Sequence, residues 1–391
     1  MNILYVVDQF PKLSESFIIN EIHELKERGH DVSVFTLDRS TEEVTHEEVE
    51  EIDISVYSAK HPSYNSLPDL LSKYILNTTI LSKIMFLEHP VYHAYCLHLG
   101  KQIMEAIGKE GEIDLIHAHF ATESRLSVTY AAAYHDIPCT VTAHAYEVFS
   151  APSVRRLQRV CTRFDHVIVP SEYNKRYLRE EIGVETDMTV VPATTSVDKF
   201  EPSDDCVPGR LLTVARLVEK KGHEYAIDAV AELVNQGYDV EYHIVGTGER
   251  EGFLRNRVRE HGIEDHVEFL GHVSDKRLID ELHDAELFVL PCVITPNGDR
   301  DITPVALREA MATETACVST KISAIPEVIT DEHDGYLVEP RDSDALQNAV
   351  VALLNDTEER RKLAKNARQT VETKFDISNS VDKLEDIFAK V

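Results

Sequence analysis

Short β-rich runs alternate with helix-period segments in two series along this 391-residue chain, and a polar break separates the series. The first series predicts strands at Ile3–Val7, Asp31–Leu37, Ile113–His117, Cys139–Ala143, His166–Val169 and Thr189–Val191. Helical patterns fall between them. One is Glu15–Arg28, stopped by Gly29; another is Ser171–Ile182, where Ser171 suits an N-cap and Gly183 a stop. The second series predicts strands at Leu211–Ala215, Val240–Val245, His266–Leu270, Leu287–Leu290 and Ala316–Ser319. Its helices fall near Lys221–Gln236, Arg250–His261, Asp275–His283, Pro304–Ala312 and Asp342–Leu354, and helical patterns continue from Thr357 to Lys390. Strands separated by helices pair in parallel, so the expected class is α/β, with two Rossmann-like domains whose sheets carry helices on both faces. The break, Glu201-Pro202-Ser203-Asp204-Asp205-Cys206-Val207-Pro208-Gly209, reads as a linker. The expected division is therefore 1–198, a linker at 199–209, 210–372, and a C-terminal helix at 373–391 packing back towards the first domain. Two such domains predict a ligand cleft between them.

Charge excludes one large class of partner. There are 69 acidic residues against 40 basic ones, a net charge of −29, and nucleic acid phosphates need a basic surface. The same excess suits a halophile, because at about 1 M salt the Debye length shrinks to roughly 3 Å and self-repulsion is screened. Any site for an anionic ligand must then be locally positive within an unfavourable global field. The cysteines, Cys96, Cys139, Cys161, Cys206, Cys292 and Cys317, are scattered, which indicates neither a zinc ligand set nor a disulfide framework and fits a reducing cytoplasm. The opening run Ile3-Leu4-Tyr5-Val6-Val7 is too short for a signal peptide and reads as a buried first strand. No stretch approaches the roughly 18 apolar residues of a membrane span. Residues 72–108 are irregular and moderately apolar. They read as helices packed on the first domain or as a peripheral membrane or lipid-acceptor contact, the latter weakened by their few lysines.

Two segments carry the chemistry. In Val214-Ala215-Arg216-Leu217-Val218-Glu219-Lys220-Lys221-Gly222-His223 a strand ends, and Arg216 and Lys221 flank a loop that opens a helix. Two cations beside a helix N-terminus make an anion site, each charge-assisted contact being worth about 1.5–3 kcal/mol. In Asp301-Ile302-Thr303-Pro304-Val305-Ala306-Leu307-Arg308-Glu309, Thr303 suits an N-cap and Pro304 a first helical residue, leaving the amides of Val305 and Ala306 uncapped. Asp301 lies before that N-terminus and Glu309 about a turn and a half inside the helix, so the two carboxylates can reach different parts of one extended ligand.

With these segments in place the chain resembles a GT-B-fold glycosyltransferase of family 4, the retaining group, along essentially its whole length. The resemblance is carried by Phe10-Pro11-Lys12-Leu13-Ser14-Glu15-Ser16-Phe17-Ile18 with Asn20-Glu21, Ile116-His117-Ala118-His119-Phe120-Ala121, Thr142-Ala143-His144-Ala145-Tyr146-Glu147 and Val169-Pro170-Ser171-Glu172-Tyr173-Asn174. The Arg216…Lys221-Gly222 element, Val245-Gly246-Thr247-Gly248-Glu249 and Phe269-Leu270-Gly271-His272-Val273 complete it, and the opening motif is similar to members that build exopolysaccharides. The resemblance implies an N-terminal acceptor domain and a C-terminal donor domain, transferring a hexosyl group from a nucleotide-diphosphate sugar to a glycan or lipid-linked acceptor. It implies no cofactor and no metal, basic residues and helix dipoles replacing the cation. Arg216 and Lys221 match the pair that holds the donor diphosphate, and Gly248, Thr303, Pro304 and Val305 fall within the donor-binding elements. Glu309 matches the acid that binds the ribose. Asp301 matches the first acid of a paired-glutamate motif that contacts sugar hydroxyls, and His144 a histidine near the donor sugar. Ser14, Glu15 and Ser171 fall in acceptor or cleft loops; for His119 a packed role and a site role both stand.

The chain departs from the family pattern where it would touch the sugar. The first acid is Asp301 where Glu is usual, Ile302 replaces a glycine, Glu314 and Ala316 replace a small-residue turn and proline, and Ala193-Thr194-Thr195 replaces an Asn-Gly. These changes motivate a second reading, a non-catalytic sugar-nucleotide-binding relative or partner subunit. A sugar-nucleotide epimerase of the same architecture is a third. A dehydrogenase is disfavoured, since no Gly-x-Gly-x-x-Gly follows the first strand.

Overall fold

The computed structural model describes residues 1–12, 15–39, 53–61, 90–150, 153–203 and 206–391. They form two compact units: Met1–Pro170, Lys175–Val191 and Val381–Val391 in one, Ser171–Asn174 and Pro192–Ser380 in the other. The chain thus passes between units at 191/192, earlier than the expected 198, and returns at 380/381 within the helix Ile377–Phe388. The segment expected as a linker is partly core, because Phe200 and the preceding Val197 are buried in the second unit.

The first unit is built on a seven-stranded sheet of β1 (Asn2–Val7), β2 (Asp31–Thr36), β3 (Ser55–Ser58), β4 (Leu115–His119), β5 (Cys139–Thr142), β6 (His166–Val169) and β7 (Met188–Val190). Its spatial order is β3-β2-β1-β4-β5-β6-β7, and all pairings are parallel. The second unit has a six-stranded sheet of β8 (Arg210–Val214), β9 (Glu241–Val245), β10 (Val267–Gly271), β11 (Leu287–Leu290), β12 (Ala316–Thr320) and β13 (Tyr336–Val338), ordered β10-β9-β8-β11-β12-β13 and again parallel throughout. Central strands are covered on both faces, which is why Ile3–Val7 and Leu287–Leu290 read as unbroken apolar runs and are buried at every position.

In each sheet the winding reverses once, between β1 and β4 and between β8 and β11. Connections leaving the carboxyl ends of strands at such a reversal diverge and open a crevice, the usual ligand position in α/β sheets. The loops after β1, β4, β8 and β11 therefore line these crevices.

Several boundaries differ from expectation. β4 begins two residues later than Ile113 and ends at His119, so both histidines are strand residues. β3 and β13 were not anticipated, since they are short and largely lack fully buried positions. Residues 72–89 lie outside the described residues. The remainder of that segment is the helix Pro90–Glu110, whose Ala94, Cys96, Leu99, Ile103, Ala106 and Ile107 are buried. It lies tightly against the helix Leu126–His135: a Cβ on Gly100 would come within 2.9 Å of the Ser127 carbonyl oxygen.

Candidate functional site

In the second unit the loop after β8 is fixed by backbone. The Ala215 amide donates to Val245 O at 2.9 Å and the Leu217 amide to Thr247 O at 2.9 Å, so the Gly246-Thr247-Gly248 turn lies directly on the Arg216 loop. A Cβ at Gly246 would strike the Ala215 carbonyl and one at Gly248 the Leu217 backbone, which explains both glycines. Glu219–Lys221 forms one 3₁₀ turn. Gly222, at φ +69, then caps the helix His223–Asn235, where any side chain would meet the Pro291 carbonyl. Arg216 is exposed, its carbonyl accepting from His223 Nε2 at 3.1 Å. His223 is held down to about 4 by its burial, with nearby Lys221 and Arg250 acting in the same direction.

Acids from the loop after β11 meet these lysines. Lys220 Nζ lies 3.0 Å from Asp299 Oδ1, and Lys221 Nζ is paired with Asp301 Oδ2. Burial opposes ionisation in the second pair, yet the mutual attraction outweighs it. Lys221 is raised and Asp301 lowered from their ordinary values, so both stay charged. The Cys292 thiol faces Asp301 Oδ2 at 4.0 Å. Beyond Asp301, Ile302 is 3% exposed, so the residue replacing a glycine turns its side chain inward.

The helix after this loop is Val305–Ala312, and its N-cap is Pro304, with φ −55 and ψ 127 and no side-chain cap. This corrects Thr303 as cap by one residue: proline disfavours helical geometry in the residue before it and here keeps an extended ψ itself. The N-terminus is left without a capping side chain, which favours an anion there. Glu309 sits on this helix, part-exposed. Beside it Arg308 is fully buried, and none of its guanidinium nitrogens has a hydrogen-bond partner. Desolvation lowers it to about 10 despite Glu309 and Asp301 nearby. The sequence offers no signal for this residue beyond a charge among the apolar Leu307, Ala310 and Met311.

The first unit gathers histidines at the ends of β4 and β5. His119 Nδ1 is 3.0 Å from His144 Nε2, and His119 Nε2 is 3.3 Å from Glu21 Oε1, which also accepts from Tyr5 Oη at 2.6 Å. With Glu21 accepting, His119 carries its proton on Nε2 and takes the Nε2 proton of His144 on Nδ1. Glu21, missed in the sequence as a partner, thereby sets both tautomers. Burial holds His117 and His119 down to about 3 and His144 well below its ordinary value, so all three are neutral. His144 caps the short helix Ala145–Phe149. Glu147 closes the turn by accepting from the His144 and Ala121 amides at 2.6 and 2.8 Å, and burial pushes it up to about 7. Between the strands, Phe120 takes a left-handed φ of 64, a conformation costing about 1–3 kcal/mol for a bulky residue. Fully buried Arg125 braces this turn, its Nε donating to His119 O at 2.7 Å and its Nη1 to Asp8 Oδ1 at 3.0 Å.

Of the other predicted residues, Ser14 lies outside the described residues. Glu15 is buried before the helix Ser16–Glu27, bonded to Lys12 Nζ at 2.5 Å and raised by desolvation. Ser171 Oγ accepts from the Asn174 amide at 3.0 Å, the capping role read from sequence. Among the described residues two groups have ligand-like spacing for a metal, Glu21–His117–His119 and Glu241–His243–Glu268. In the first, ring nitrogens are already engaged: His117 by Thr140 and Thr142 hydroxyls, His119 by His144 and Glu21.

Comparison with known proteins follows the same division. Residues 14–199 match the model of Glycosyltransferase Family 4, and residues 205–370 that of Glycosyl transferases group 1. WcaL of Escherichia coli, by name a colanic acid biosynthesis glycosyltransferase, is 40% identical over 169 residues, 43% of this chain and 42% of the relative. The aligned stretch thus spans less than half that relative's length. WcaL of Salmonella typhimurium is 28% identical over 378 residues, covering 88% of this chain and 89% of the relative. The structure of Anabaena HepE in complex with UDP-glucose superposes with a TM-score of 0.76 at 18% identity, covering 100% of both chains. No described helix is long and apolar enough to cross a membrane. The two halves are thus matched in order by models of two glycosyltransferase families, and the chain has the GT-B fold of its structural relatives from end to end.

Proposed function

We propose that the chain transfers a hexosyl group from a nucleoside-diphosphate sugar to a glycan or lipid-linked acceptor in exopolysaccharide synthesis, with retention at the anomeric carbon and no metal at the diphosphate. The observation that carries this is the loop after β8. Exposed Arg216 and part-buried Lys221 stand at the carboxyl end of the sheet, and Lys221 pairs with Asp301 in the loop that leads into a helix whose N-terminus has no side-chain cap. That arrangement stabilises a diphosphate leaving group by fixed positive charge, the role a divalent ion plays elsewhere. Both acids of the neighbouring loop, Asp299 and Asp301, are held by lysines, which suits neutralised hydroxyl-binding carboxylates better than metal ligands. The nucleotide-bound state of the structural relative and the names of the WcaL relatives support the donor class and the pathway.

In the first unit we assign His144 to the reaction as a neutral imidazole whose tautomer His119 and Glu21 fix. Glu309 is assigned to the ribose. Peripheral attachment to the cytoplasmic face of a membrane would suit a lipid-linked acceptor. The reading is tested by incubating the chelator-treated protein with a panel of nucleotide sugars and following both transfer and nucleotide affinity. Transfer that persists in chelator with an α-configured product from an α-configured donor is expected. Binding without transfer or hydrolysis would instead make the chain a sugar-nucleotide-binding subunit. Activity recovered only on adding magnesium or manganese would reject the metal-free site.

A further inference from the structure

His243 lies near the middle of β9 and is 3% exposed. Its Nδ1 is 2.6 Å from Glu281 Oε2, on the helix Asp275–Asp284, and Glu281 is 1% exposed. A carboxylate at that distance accepts the Nδ1 proton, so Nε2 is left with its lone pair. Nε2 has no hydrogen-bond partner, although two surface carboxylates approach it: Glu241 Oε1 at 3.2 Å and Glu268 Oε2 at 3.5 Å. Glu241 is two residues away on the same strand, hence on the same face, and Glu268 is the register partner of His243 on the edge strand β10. The three atoms lie within 4.8 Å of one another.

We propose that Nε2 of His243 with the carboxylates of Glu241 and Glu268 forms a binding site for a borderline divalent transition ion of the zinc type, a clasp joining β9 to the edge strand β10. Four observations point the same way. A buried imidazole nitrogen without a partner is costly unless something fills it. Ligand atoms about 2.0–2.2 Å from zinc at tetrahedral angles lie about 3.3–3.6 Å apart, close to the 3.2 and 3.5 Å between His243 Nε2 and the two carboxylates. Glu281 supplies the carboxylate behind the imidazole that orients metal-binding histidines. Charge also balances: Glu241, Glu268, Glu281 and Asp284 are four carboxylates, against the two guanidiniums Arg210 and Arg277, leaving an excess of two negative charges.

The guanidiniums leave the site open. Arg210 donates to the far oxygen of Glu241, Oε2, at 2.7 and 3.0 Å, so Oε1 remains turned to His243, and its approach to Nδ1 is longer, at 3.4 Å. Arg277 holds Glu281 Oε1, not the oxygen facing the imidazole. A doubly protonated His243 would be the other way to use these acids, but it would aim Nε2–H along a hydrogen bond to one of them, and no such bond is formed. Imidazole with two carboxylates selects zinc, cobalt or nickel over calcium or magnesium. The site sits towards the start of β9, whereas the Gly246–Gly248 turn and Arg216 loop lie at its end, so it holds structure and is separate from the donor site.

The test uses the full chain stripped with chelator and titrated with zinc by calorimetry and with cobalt(II) by visible absorption. Expected are one ion per chain, bound at least tenfold more weakly by Glu268→Gln or His243→Gln, intense d–d bands without thiolate charge transfer, and a melting temperature raised by roughly 3–8 °C at a hundredfold excess over Kd. Glu268 is on the surface, so Glu268→Gln should keep the apo fold while weakening zinc at least tenfold. Absence of stoichiometric uptake by the parent overturns the proposal, as does uptake unchanged in Glu268→Gln. Thiolate bands in the cobalt spectrum would place the ion at a cysteine and do the same.

Discussion

The two units share one architecture and present opposite chemistry at their reversal points. The first holds imidazoles that burial keeps neutral, His144 and His119 in a hydrogen-bonded chain ending at Glu21 and His117 between the Thr140 and Thr142 hydroxyls. The second holds full charges in close pairs, Lys220 with Asp299 and Lys221 with Asp301. Parallel sheets supply the same crevice in both, and what fills it decides the response. A neutral network answers to proton concentration, whereas a set of paired charges answers to substitution and, where exposed, to salt.

The sharpest way to break this comparison is at the Lys221–Asp301 pair. If Asp301 contacts sugar hydroxyls, Asp301→Asn lowers turnover about a hundredfold, the scale of a misplaced reacting group. Because the change also frees Lys221, affinity for a nucleoside diphosphate should hold or tighten. Lys221→Ala has the reverse signature. It removes a charge-assisted contact, costing about 10- to 100-fold in nucleotide affinity, and it strands a carboxylate 18% exposed, costing roughly 3 kcal/mol of stability. Adding Asp301→Asn to Lys221→Ala should recover most of the stability and none of the affinity. Calorimetry with thermal melts checks all three variants. Parent-rate transfer by Asp301→Asn would remove Asp301 from the sugar site.

How these residues were legible differs between the units. Arg216, Lys221 and Asp301 could be read because they lie in loops beside a strand end and a helix start, where local chemistry is dictated by a few neighbours. The pairing of Lys221 with Asp301 could not, since 80 residues separate them. Likewise His117 and His119 made β4 look two residues early, because polar side chains normally mark a strand's end. Only the tertiary partners Thr140, Thr142, Glu21 and His144 allow them inside. Pro304 against Thr303 as the cap turned on one ψ angle. Arg308 and His243 carry no local signal, because what distinguishes each is a buried side-chain nitrogen without a hydrogen-bond partner.

Acid should separate the units. An imidazole neutral in the fold and titrating near 6.5 when unfolded contributes stability that is complete above about pH 6.5 and is lost as pH falls towards the folded value, about 3 for His117 and His119. Glu147 has the opposite sign, raised from 4.5 to about 7, so its contribution is complete below 4.5 and fades as pH rises through 7. Glu15 and Glu21 are raised as well, but the four depressed histidines, His117, His119, His144 and His166, outnumber these three carboxyls. The first unit is expected to open before the second, where His223 is lowered to about 4, as pH drops from 7 to 4. Hydrogen exchange in β1 and β4 against β8 and β11 reads this directly, and equal or reversed protection would contradict it.

Salt acts more weakly and on both units. With a net charge of −29, carboxylates repel across a Debye length of about 30 Å at 0.01 M and only about 3 Å at 1 M. Melting temperature should rise steadily between those limits. A flat response would remove the case for adaptation to high salt.

The smallest expected effect draws the finest distinction, between Arg216 and Lys221 within one loop. Arg216 is exposed, so its attraction for a diphosphate is shared with solvent and counterions; Lys221, 13% exposed, is shielded from both. Arg216→Ala should leave the melting temperature unchanged, since no carboxylate is stranded, and weaken nucleotide binding only several-fold at low salt. Raising salt to about 1 M should erase most of that difference, because screening removes what the exposed cation supplied. The deficit of Lys221→Ala should persist, because its contact is made away from bulk ions. The measurement is nucleotide affinity of the parent and both variants at low and molar salt. If the Arg216→Ala deficit survives molar salt as fully as that of Lys221→Ala, then Arg216 closes onto the bound diphosphate. The second unit's site would then be assembled by its ligand, where the first unit's histidine chain is already complete without one.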